Sequence, residues 1–252
     1  MPIWAKEIHL CRSGARTDIF LLNSMLIELI DKYYQDKRYE KNQEHFYVTD
    51  AGKCPRTVYF SMKGYPKREK EARVLRIFDR GDIIHQRLMS TFYGIPEIRV
   101  TASEVDMPSK ELFHGRADLI ISVDNKLYVV DIKSSSDFKF QKLEEPELAH
   151  KKQIQLYMHY FKIPQGILIY ENKNTQDLKE FGVKYDAVFC KKIISDFGTL
   201  KYQIENEIVP PIPAEFKEGR EAFSRGKGKF PWECEYCDFR EECDKIEQES
   251  LS

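Results

Sequence analysis

The chain has 252 residues, 42% of them hydrophobic and 32% charged, and its formal net charge is −1. This length accommodates one sizeable core with an appended subdomain. The near-zero charge excludes a uniformly basic nucleic-acid-binding surface but permits a local basic groove. No apolar run reaches the roughly 18 residues of a membrane span. The first residues lack the apolar core of a secretory signal, which predicts a cytoplasmic protein.

The first third of the chain predicts three helices and one short strand. Apolar residues at helical spacing indicate a helix over Ile19–Tyr33. A short strand is predicted at Phe46–Thr49. The next helix begins at Pro55 and ends at Gly64, because proline suits the first helical turn and glycine suits the position after the last. A third helix is predicted over Val74–Met89.

The segment from Gly115 to Lys133 predicts a β-hairpin that follows a strand over Ile98–Met107. Two runs rich in β-branched residues flank Asp124-Asn125, a pair that tolerates the positive φ angles of a two-residue turn. Val123 then pairs with Lys126. Counting back along both strands places Asp118 opposite Asp131.

Two carboxylates in neighbouring strands create an electrostatic problem. The side chains of Asp118 and Asp131 point to the same face and are expected about 5 Å apart at Cβ. Their repulsion requires that one be protonated or that a cation lie between them. An all-oxygen pair suits Mg²⁺ or Mn²⁺. Lys133 lies on the same face and can contact a phosphate oxygen or orient a water molecule.

The second half of the chain continues the alternation of helices and strands. Pro146 begins a helix that ends at Phe161, and it carries Gln153 and Tyr157 four residues apart on one face. The remaining predicted elements are two strands, Gly166–Tyr170 and Phe181–Val188, and a helix over Ile193–Ile204.

Half of the six cysteines lie close together, at positions 234, 237 and 243. In a reducing compartment this spacing favours a metal site over disulfides. Because no second C-x-x-C is present, the fourth ligand must come from elsewhere. Cys54 is the preferred candidate, since it lies at a predicted helix N-terminus, where the dipole favours a thiolate. Cys11 and Cys190 are the alternatives, and Cys190 is predicted to be a core residue.

These motifs together resemble the PD-(D/E)XK nuclease superfamily and its RecB-like branch. Gly115-Arg116-Ala117-Asp118 and Asp131-Ile132-Lys133 match its signature. Gly81-x-x-x-His85 matches a helix that precedes the hairpin in RecB-like nucleases, and Gln153-x-x-x-Tyr157 matches their last motif. The resemblance implies an α/β (α+β) restriction-endonuclease-like core with a central mixed sheet flanked by helices.

The resemblance also implies roles for these residues. The metal ligands would be His85, Asp118, Asp131 and the backbone carbonyl of Ile132. Lys133 would assist the attack, while Gln153 and Tyr157 would position substrate or Lys133. The cysteine pattern is similar to an iron–sulfur staple, so Cys54, Cys234, Cys237 and Cys243 are expected to hold a [4Fe–4S] cluster, with zinc the less favoured alternative. The implied domains are residues 1–72, 73–208 and 209–252.

The expected function is a metal-dependent DNA exonuclease that prefers single strands. The resemblance implies 5′-to-3′ polarity and a CRISPR-associated role, trimming DNA for spacer acquisition beside integration proteins. A viral or repair relative, or a non-catalytic adaptor with a zinc-held tail, is the alternative. We predict phosphate contacts from three cations, Lys53, Arg56 and Arg116. Four aromatic residues, Tyr59, Phe60, Tyr65 and Tyr157, are candidates for base stacking, and core packing is the favoured alternative for each taken singly.

Overall fold

A computed structural model describes residues 16–37, 43–107, 112–227 and 229–249, without the side chains of residues 16–24 and 215. The alternative ligand Cys11 lies outside these residues. Contacts divide the chain into two units: Met1–Tyr39 with Lys70–Ile77, and Glu40–Glu69 with Phe78–Ser252. No helix in the described part has the length and apolar character needed to cross a membrane. The predicted domain boundaries differ from this division and stay a prediction.

The first unit is built on helix α1 (Arg16–Asp36), which confirms the helix predicted at Ile19–Tyr33. Asp31 of α1 forms an ion pair with Arg76. The side chains of Leu26, Leu29 and Tyr33 are all more than half exposed within the chain. The described part of the apolar stripe, from Leu26 to Tyr33, is therefore exposed.

The second unit contains two sheets. Strands β1 (Phe46–Tyr47) and β3 (Phe113–His114) form a short parallel pair. The other strands are β2 (Arg99–Asp106), β4 (Arg116–Val123), β5 (Lys126–Ser135), β6 (Gln165–Asn172) and β7 (Leu178–Lys184). They form a five-stranded sheet in the order β2-β4-β5-β6-β7, in which only β5 and β6 are parallel. The predicted central mixed sheet is confirmed.

Helices cover both faces of this sheet. They are α2 (Pro55–Met62), α3 (Ala72–Phe92), α4 (Asp137–Gln141), α5 (Leu148–Phe161), α6 (Ala187–Glu205), α7 (Ala214–Ser224), α8 (Trp232–Glu235) and α9 (Arg240–Glu249). Ile84 and Leu88 of α3 share one buried cluster with Val130 of β5. Val129 belongs to the opposite cluster, with Ile154 of α5. Both faces of β5 are thus buried, as its continuous apolar run predicts.

The hairpin has the predicted register. Asp124 and Asn125 have φ angles of +48° and +60°, as a type I′ turn requires. Val123 pairs with Lys126, and the ladder continues to Leu119 opposite Val130. The next pair in this register is Asp118 and Asp131, at the end of β4 that leads into the candidate site.

Two predicted strand boundaries are wrong, and both errors come from polar side chains that bind backbone N–H groups. The strand at Phe46 ends at Tyr47, because the Asp50 carboxylate accepts the Tyr47 N–H at 2.7 Å and stabilises a 3₁₀ turn over Val48–Gly52. Strand β7 ends before Val188, since Asp186 accepts the N–H groups of residues 188 and 189 and caps α6.

Candidate active site

The predicted site residues come from four elements of the second unit. They are His85 on α3, Asp118 on β4, Asp131 and Lys133 on β5, and Gln153 and Tyr157 on α5. The two strands are adjacent in the sheet. Gly81, one turn before His85, lies where an added Cβ would be 3.3 Å from the Ser134 hydroxyl. This glycine therefore permits close approach of α3 to the end of β5.

Asp118 is held by contacts from β5 and α3. Its Oδ2 accepts the backbone N–H of Ile132 at 2.7 Å and lies 3.4 Å from Nδ1 of His85. Burial alone would raise the pKa of Asp118. The hydrogen bond and charge of His85, with help from Lys133 and the Ile132 N–H, hold the pKa below its usual value instead. Asp118 is therefore ionised at neutral pH.

Asp131 has the opposite electrostatic character. It is 1% exposed, and burial, reinforced by the charge of Asp118, raises its pKa to about 6 although Lys133 opposes the shift. Nζ of Lys133 lies 2.6 Å from Oδ2 of Asp131. This ion pair is the contact that satisfies Oδ2, which is buried and accepts no further hydrogen bond from the described residues. A buried carboxylate with one cationic partner is costly to expose to a neighbouring acid unless the local charge is balanced.

Gln153 and Tyr157 connect α5 to both strands. The Gln153 amide donates to Oδ1 of Asp131 at 3.4 Å and to the Tyr157 hydroxyl at 3.3 Å. That hydroxyl donates to the carbonyl of Arg116 at 2.8 Å, just before Asp118 in the chain. Gln153 thus contacts Asp131 rather than Lys133. Tyr157 anchors the start of β4.

Residues 94–244 match the family model described as the PD-(D/E)XK nuclease superfamily. This range covers more than half of the chain and contains both carboxylates, Lys133, Gln153 and Tyr157. The chain belongs to the PD-(D/E)XK nuclease superfamily. The family and enzyme class implied by the sequence motifs, a nuclease, are confirmed.

Two individual similarities extend over most of this nuclease. It is 28% identical over 230 residues to the CRISPR-associated exonuclease Cas4 of Saccharolobus solfataricus, which covers 85% of this chain and 98% of the relative. The crystal structure of SSO0001 matches with a TM-score of 0.51 at 23% identity, covering 86% of this chain and 95% of that one. The second similarity concerns the fold alone.

The donor set of the nuclease site fits a hard divalent cation. The buried carboxylate of Asp131, the ionised Asp118 and the nearby imidazole of His85 supply oxygen and nitrogen donors. The backbone carbonyl of Ile132 follows Asp131 in β5. Within the described residues no group of three His, Cys, Asp or Glu side chains is already arranged around one point. Binding therefore requires these side chains to turn away from Lys133 and the Ile132 N–H.

A surface cleft reaches this site from the β1–β3 side. Tyr47, His114 and Arg116 line it together with Asp118 and Gln153. The Arg116 side chain is 60% exposed and lies 3.3 Å from Glu104, so a phosphate contact from Arg116 stays a prediction.

The other two predicted phosphate contacts have partners within the fold. Lys53 is paired with Asp50 at 2.8 Å. Arg56 is 7% exposed and binds Glu247 and the carbonyl of Pro210. The prediction for Arg56 is wrong, because burial removes its guanidinium from any substrate.

The predicted stacking groups belong to the core. Tyr59, Phe60 and Tyr157 are at most 3% exposed, and Tyr65 packs against Phe60 with ring centres 4.9 Å apart. Stacking by Tyr59, Phe60 and Tyr157 is therefore excluded. Their spacing could not distinguish a buried aromatic face from an accessible one.

The motifs did not reveal a histidine–tyrosine pair beside Lys133. Tyr170 is the β6 neighbour of Lys133 in the parallel register, and its hydroxyl lies 2.8 Å from Nδ1 of His150 on α5. Burial and the charges of Lys133 and Lys139 lower the pKa of His150 to about 3, so its imidazole is neutral. His150 lies three residues before Gln153, and this helical spacing was the available sequence signal.

The four cysteines of the predicted cluster line one cavity, although they are up to 189 positions apart in the chain. Cys54 is the residue before α2, as predicted. The backbone N–H groups of Arg56 and Thr57 lower the pKa of its thiol, but burial outweighs them and raises it. The helix terminus therefore favours the Cys54 thiolate, as predicted, but its effect on the pKa is smaller than that of burial. Cys190 is fully buried elsewhere, as predicted.

Side chains from α2 and α7 contact the sulfur atoms. Arg56 and Arg220 donate to Sγ of Cys243 at 3.3 and 3.5 Å, and the Thr57 hydroxyl lies 3.4 Å from Sγ of Cys237. Burial, opposed by Arg220 and reinforced by the other sulfurs, raises the pKa of Cys234 to about 11. Four sulfur donors fit a soft metal or an iron–sulfur cluster chemically.

Proposed function

We propose that this nuclease is a metal-dependent DNA exonuclease that prefers single strands. The observation that carries the proposal is the Asp118–Asp131–Lys133 arrangement, in which an ionised carboxylate and a buried carboxylate lie together on neighbouring strands beside one lysine. The similarity to a protein named as an exonuclease supports the end-dependent activity.

His85, Asp118, Asp131 and the Ile132 carbonyl would hold Mg²⁺ or Mn²⁺. When bound, the ion lowers the pKa of a water molecule and stabilises charge on the scissile phosphate. Binding favours the ionised form of Asp131 over the protonated form that burial favours.

Lys133 would carry positive charge to the scissile phosphate. Its side chain is 15% exposed and lies against Asp131. Turning from that carboxylate to a phosphate oxygen needs only side-chain rotation, and it frees Asp131 for the cation at the same time. In this partly desolvated position an ammonium group stabilises a developing negative charge more strongly than in water. Gln153 would keep Asp131 in place during this exchange.

The finer functional assignments are also proposals. A net charge of −1 supports a narrow path for one strand rather than a broad duplex-binding surface. The similarity to a CRISPR-associated exonuclease supports a CRISPR-associated role. Trimming of DNA for spacer acquisition beside integration proteins, with 5′-to-3′ polarity, is the part of this proposal that the family resemblance of the sequence motifs implies. Cys54, Cys234, Cys237 and Cys243 would hold a [4Fe–4S] cluster that clamps the tail, residues 209–252, onto α2.

The test is a cleavage assay on a labelled linear single strand, with Mn²⁺ or with EDTA. We expect Mn²⁺-dependent cleavage, and we expect a loss of about 100- to 1,000-fold in Asp118→Ala, Asp131→Ala and Lys133→Ala, the magnitude that follows the removal of one key electrostatic group. Lys126→Ala is the matched control, since Lys126 is an exposed lysine at the other end of the same strand. Full activity of Asp131→Ala would contradict the assignment of the nuclease site to these residues.

The substrate comparison uses a circular single strand and a blunt duplex. Both should be cleaved much more slowly than the linear strand. Rapid cleavage of the circle would show that no end is needed. Absence of metal-dependent cleavage of any substrate would favour a non-catalytic DNA-binding role.

A further inference from the structure

Exposed aromatic rings alternate with lysines beside the nuclease site. Phe138 and Lys139 lie on α4, which begins two residues after β5 ends, and Lys142 caps its C-terminus. Trp232 of α8 completes the group, which we call the α4–Trp232 surface. Phe138 is 71% exposed and Trp232 is 53% exposed. Exposed rings grouped with cations in one place indicate a binding surface more strongly than a ring exposed singly does.

Each lysine lies over one ring. Nζ of Lys139 is 4.1 Å from the centre of the Trp232 ring, and Nζ of Lys142 is 3.9 Å from that of Phe138. Within the described residues neither ammonium has a carboxylate at ion-pair distance, whereas nearby Lys151 is paired with Glu145. The acid on α4, Asp137, accepts hydrogen bonds from Asn172 and Gln141. The two ammonium groups are thus available to an anion.

His150 connects this surface to Lys133. Tyr170 neighbours Lys133 in the sheet and holds the His150 ring through its hydroxyl. The same imidazole is close enough to Lys133 and to Lys139 for both ammonium charges to lower its pKa. Lys133 and Lys139 of α4 therefore both lie close to one imidazole, which places the α4–Trp232 surface near the site.

We propose that the α4–Trp232 surface binds single-stranded DNA next to the scissile phosphate, with bases stacked on Phe138 and Trp232 and phosphates bound by Lys139 and Lys142. This inference rests on the proposed nuclease function and adds the path of the substrate. Cations that contact the backbone, combined with rings on which bases stack, are the means by which proteins bind single strands. A duplex hides the faces of its bases, so the surface discriminates against it.

The cysteine site would also position Trp232. Trp232 precedes Cys234 by two residues, and Lys139 follows Asp131 by eight. Holding the tail in place therefore positions one stacking ring against the helix that follows the catalytic strand.

The test measures binding of the full chain to a fluorescein-labelled 20-nucleotide oligo(dT) by anisotropy, without added divalent metal. An abasic strand of the same length is the second probe. Phe138→Ala and Trp232→Ala should each weaken oligo(dT) binding by about 10-fold, toward the lower end of what base stacking contributes. They should leave abasic binding unchanged, and Trp232→Phe should retain most of the affinity.

The lysines are tested through salt dependence. The double variant Lys139→Ala/Lys142→Ala should weaken binding of both probes and reduce the slope of log K against log salt by about 1.4, which corresponds to two phosphate contacts. Lys191→Ala/Lys192→Ala removes two exposed charges from α6 and serves as the control. Tyr236→Ala removes an exposed ring from the same tail and is the control for Trp232.

Equal weakening by the control variants would overturn the proposal, as would wild-type binding by Phe138→Ala and by the double lysine variant. Metal content is measured in Trp232→Ala, because this substitution could disturb the nearby cysteine site. If it does, Phe138→Ala still tests base stacking, since Phe138 lies on α4 and not on the tail. If the wild type cleaves DNA and these variants bind DNA normally, only the proposed binding surface is refuted. If the protein binds DNA through this surface but does not cleave it, only the proposed nuclease function is refuted.

Discussion

Two parts of this nuclease have donor sets for metal, and they are built in different ways. The carboxylate site is made of neighbouring strands, and its acids are 13 positions apart, at 118 and 131. The cysteine site joins the residue before α2 to a tail at positions 234–243. The first has its position defined by backbone pairing, whereas the second depends on side chains that bring distant segments together.

The two sites also differ in how they balance charge. At the carboxylate site burial raises one pKa while His85 and Lys133 help to lower the other, so the two acids share a single negative charge at pH values between the two pKa values. At the cysteine site burial raises the pKa of both Cys54 and Cys234. A metal bound to these thiols would therefore displace protons. The difference teaches that an exchangeable ion would suit the rigid site that neighbouring strands define, whereas a permanent one would suit the site whose geometry the metal would help to hold.

The largest expected effect comes from removing a cluster ligand. Anaerobically purified protein should be brown with about four irons per chain. Cys54→Ala and Cys243→Ala should lose the iron completely and much of the soluble protein, because four-ligand sites rarely persist with three. Iron analysis and visible absorption measure this.

Cys190→Ala is the matched control, since Cys190 is fully buried away from the cavity, and it should keep its iron. Colourless protein with one zinc would overturn the iron–sulfur assignment. Retention of metal by Cys54→Ala would contradict the comparison of the two sites, because the cysteine site would then not join the residue before α2 to the tail.

The pH dependence of stability should distinguish Asp131 at the rigid site. Its folded pKa of about 6 exceeds the ordinary value of 3.8, so the folded protein binds this proton more tightly than the unfolded chain. The stabilisation of the folded protein by this proton is fully present below about pH 4 and is lost as the pH rises through 6. The shift corresponds to about 3 kcal/mol at most.

Asp131→Asn removes this titration. Without metal, the free energy of unfolding of the variant relative to the wild type should therefore increase between pH 4 and 7. Urea unfolding at several pH values measures the difference, and added Mg²⁺ should stabilise only the wild type. A difference that is constant with pH would contradict the raised pKa. The lowered pKa of Asp118 has the opposite effect on stability. Its ionised carboxylate stabilises the folded protein, and this stabilisation is lost as the pH falls below about 4.

The rigid packing behind the carboxylates should resist added volume. A Cβ on Gly115 would lie 2.5 Å from Cγ2 of Val48 and 3.0 Å from Cε1 of Tyr157. Gly115→Ala should therefore cost about 1–3 kcal/mol of stability. Gly182→Ala on β7 is the control, since its Cβ would meet nothing within 4 Å. Equal melting temperatures for the two variants would show that the site is less rigid than its packing indicates.

The smallest effect concerns the two histidine–tyrosine pairs on α5. Tyr170→Phe leaves the Glu147 N–H and the His150 ring without their partner in a buried place, at a cost of about 1–2 kcal/mol. Tyr185→Phe removes the similar partner of exposed His159, 2.7 Å away, and should change stability little. Thermal unfolding of both variants makes the comparison. Equal losses would mean that burial does not decide the cost.

The sequence alone determined the parts of this nuclease that depend on local interactions. The Asp124-Asn125 turn sets the register of the hairpin, and that register brings Asp118 and Asp131 together before any other element packs. Helical spacing placed Gln153 and Tyr157 on one face in the same way.

Only the tertiary structure decided which side chains solvent and substrate can reach. It buried Arg56, Tyr59 and Phe60, left Phe138 and Trp232 exposed, and gave the two acids opposite pKa shifts. Exposure and charge depend on segments distant in the chain, and the α2 and tail residues around the cysteines show this most clearly. Residue type and spacing encode the direction of a side chain along its own element, but not what packs against it.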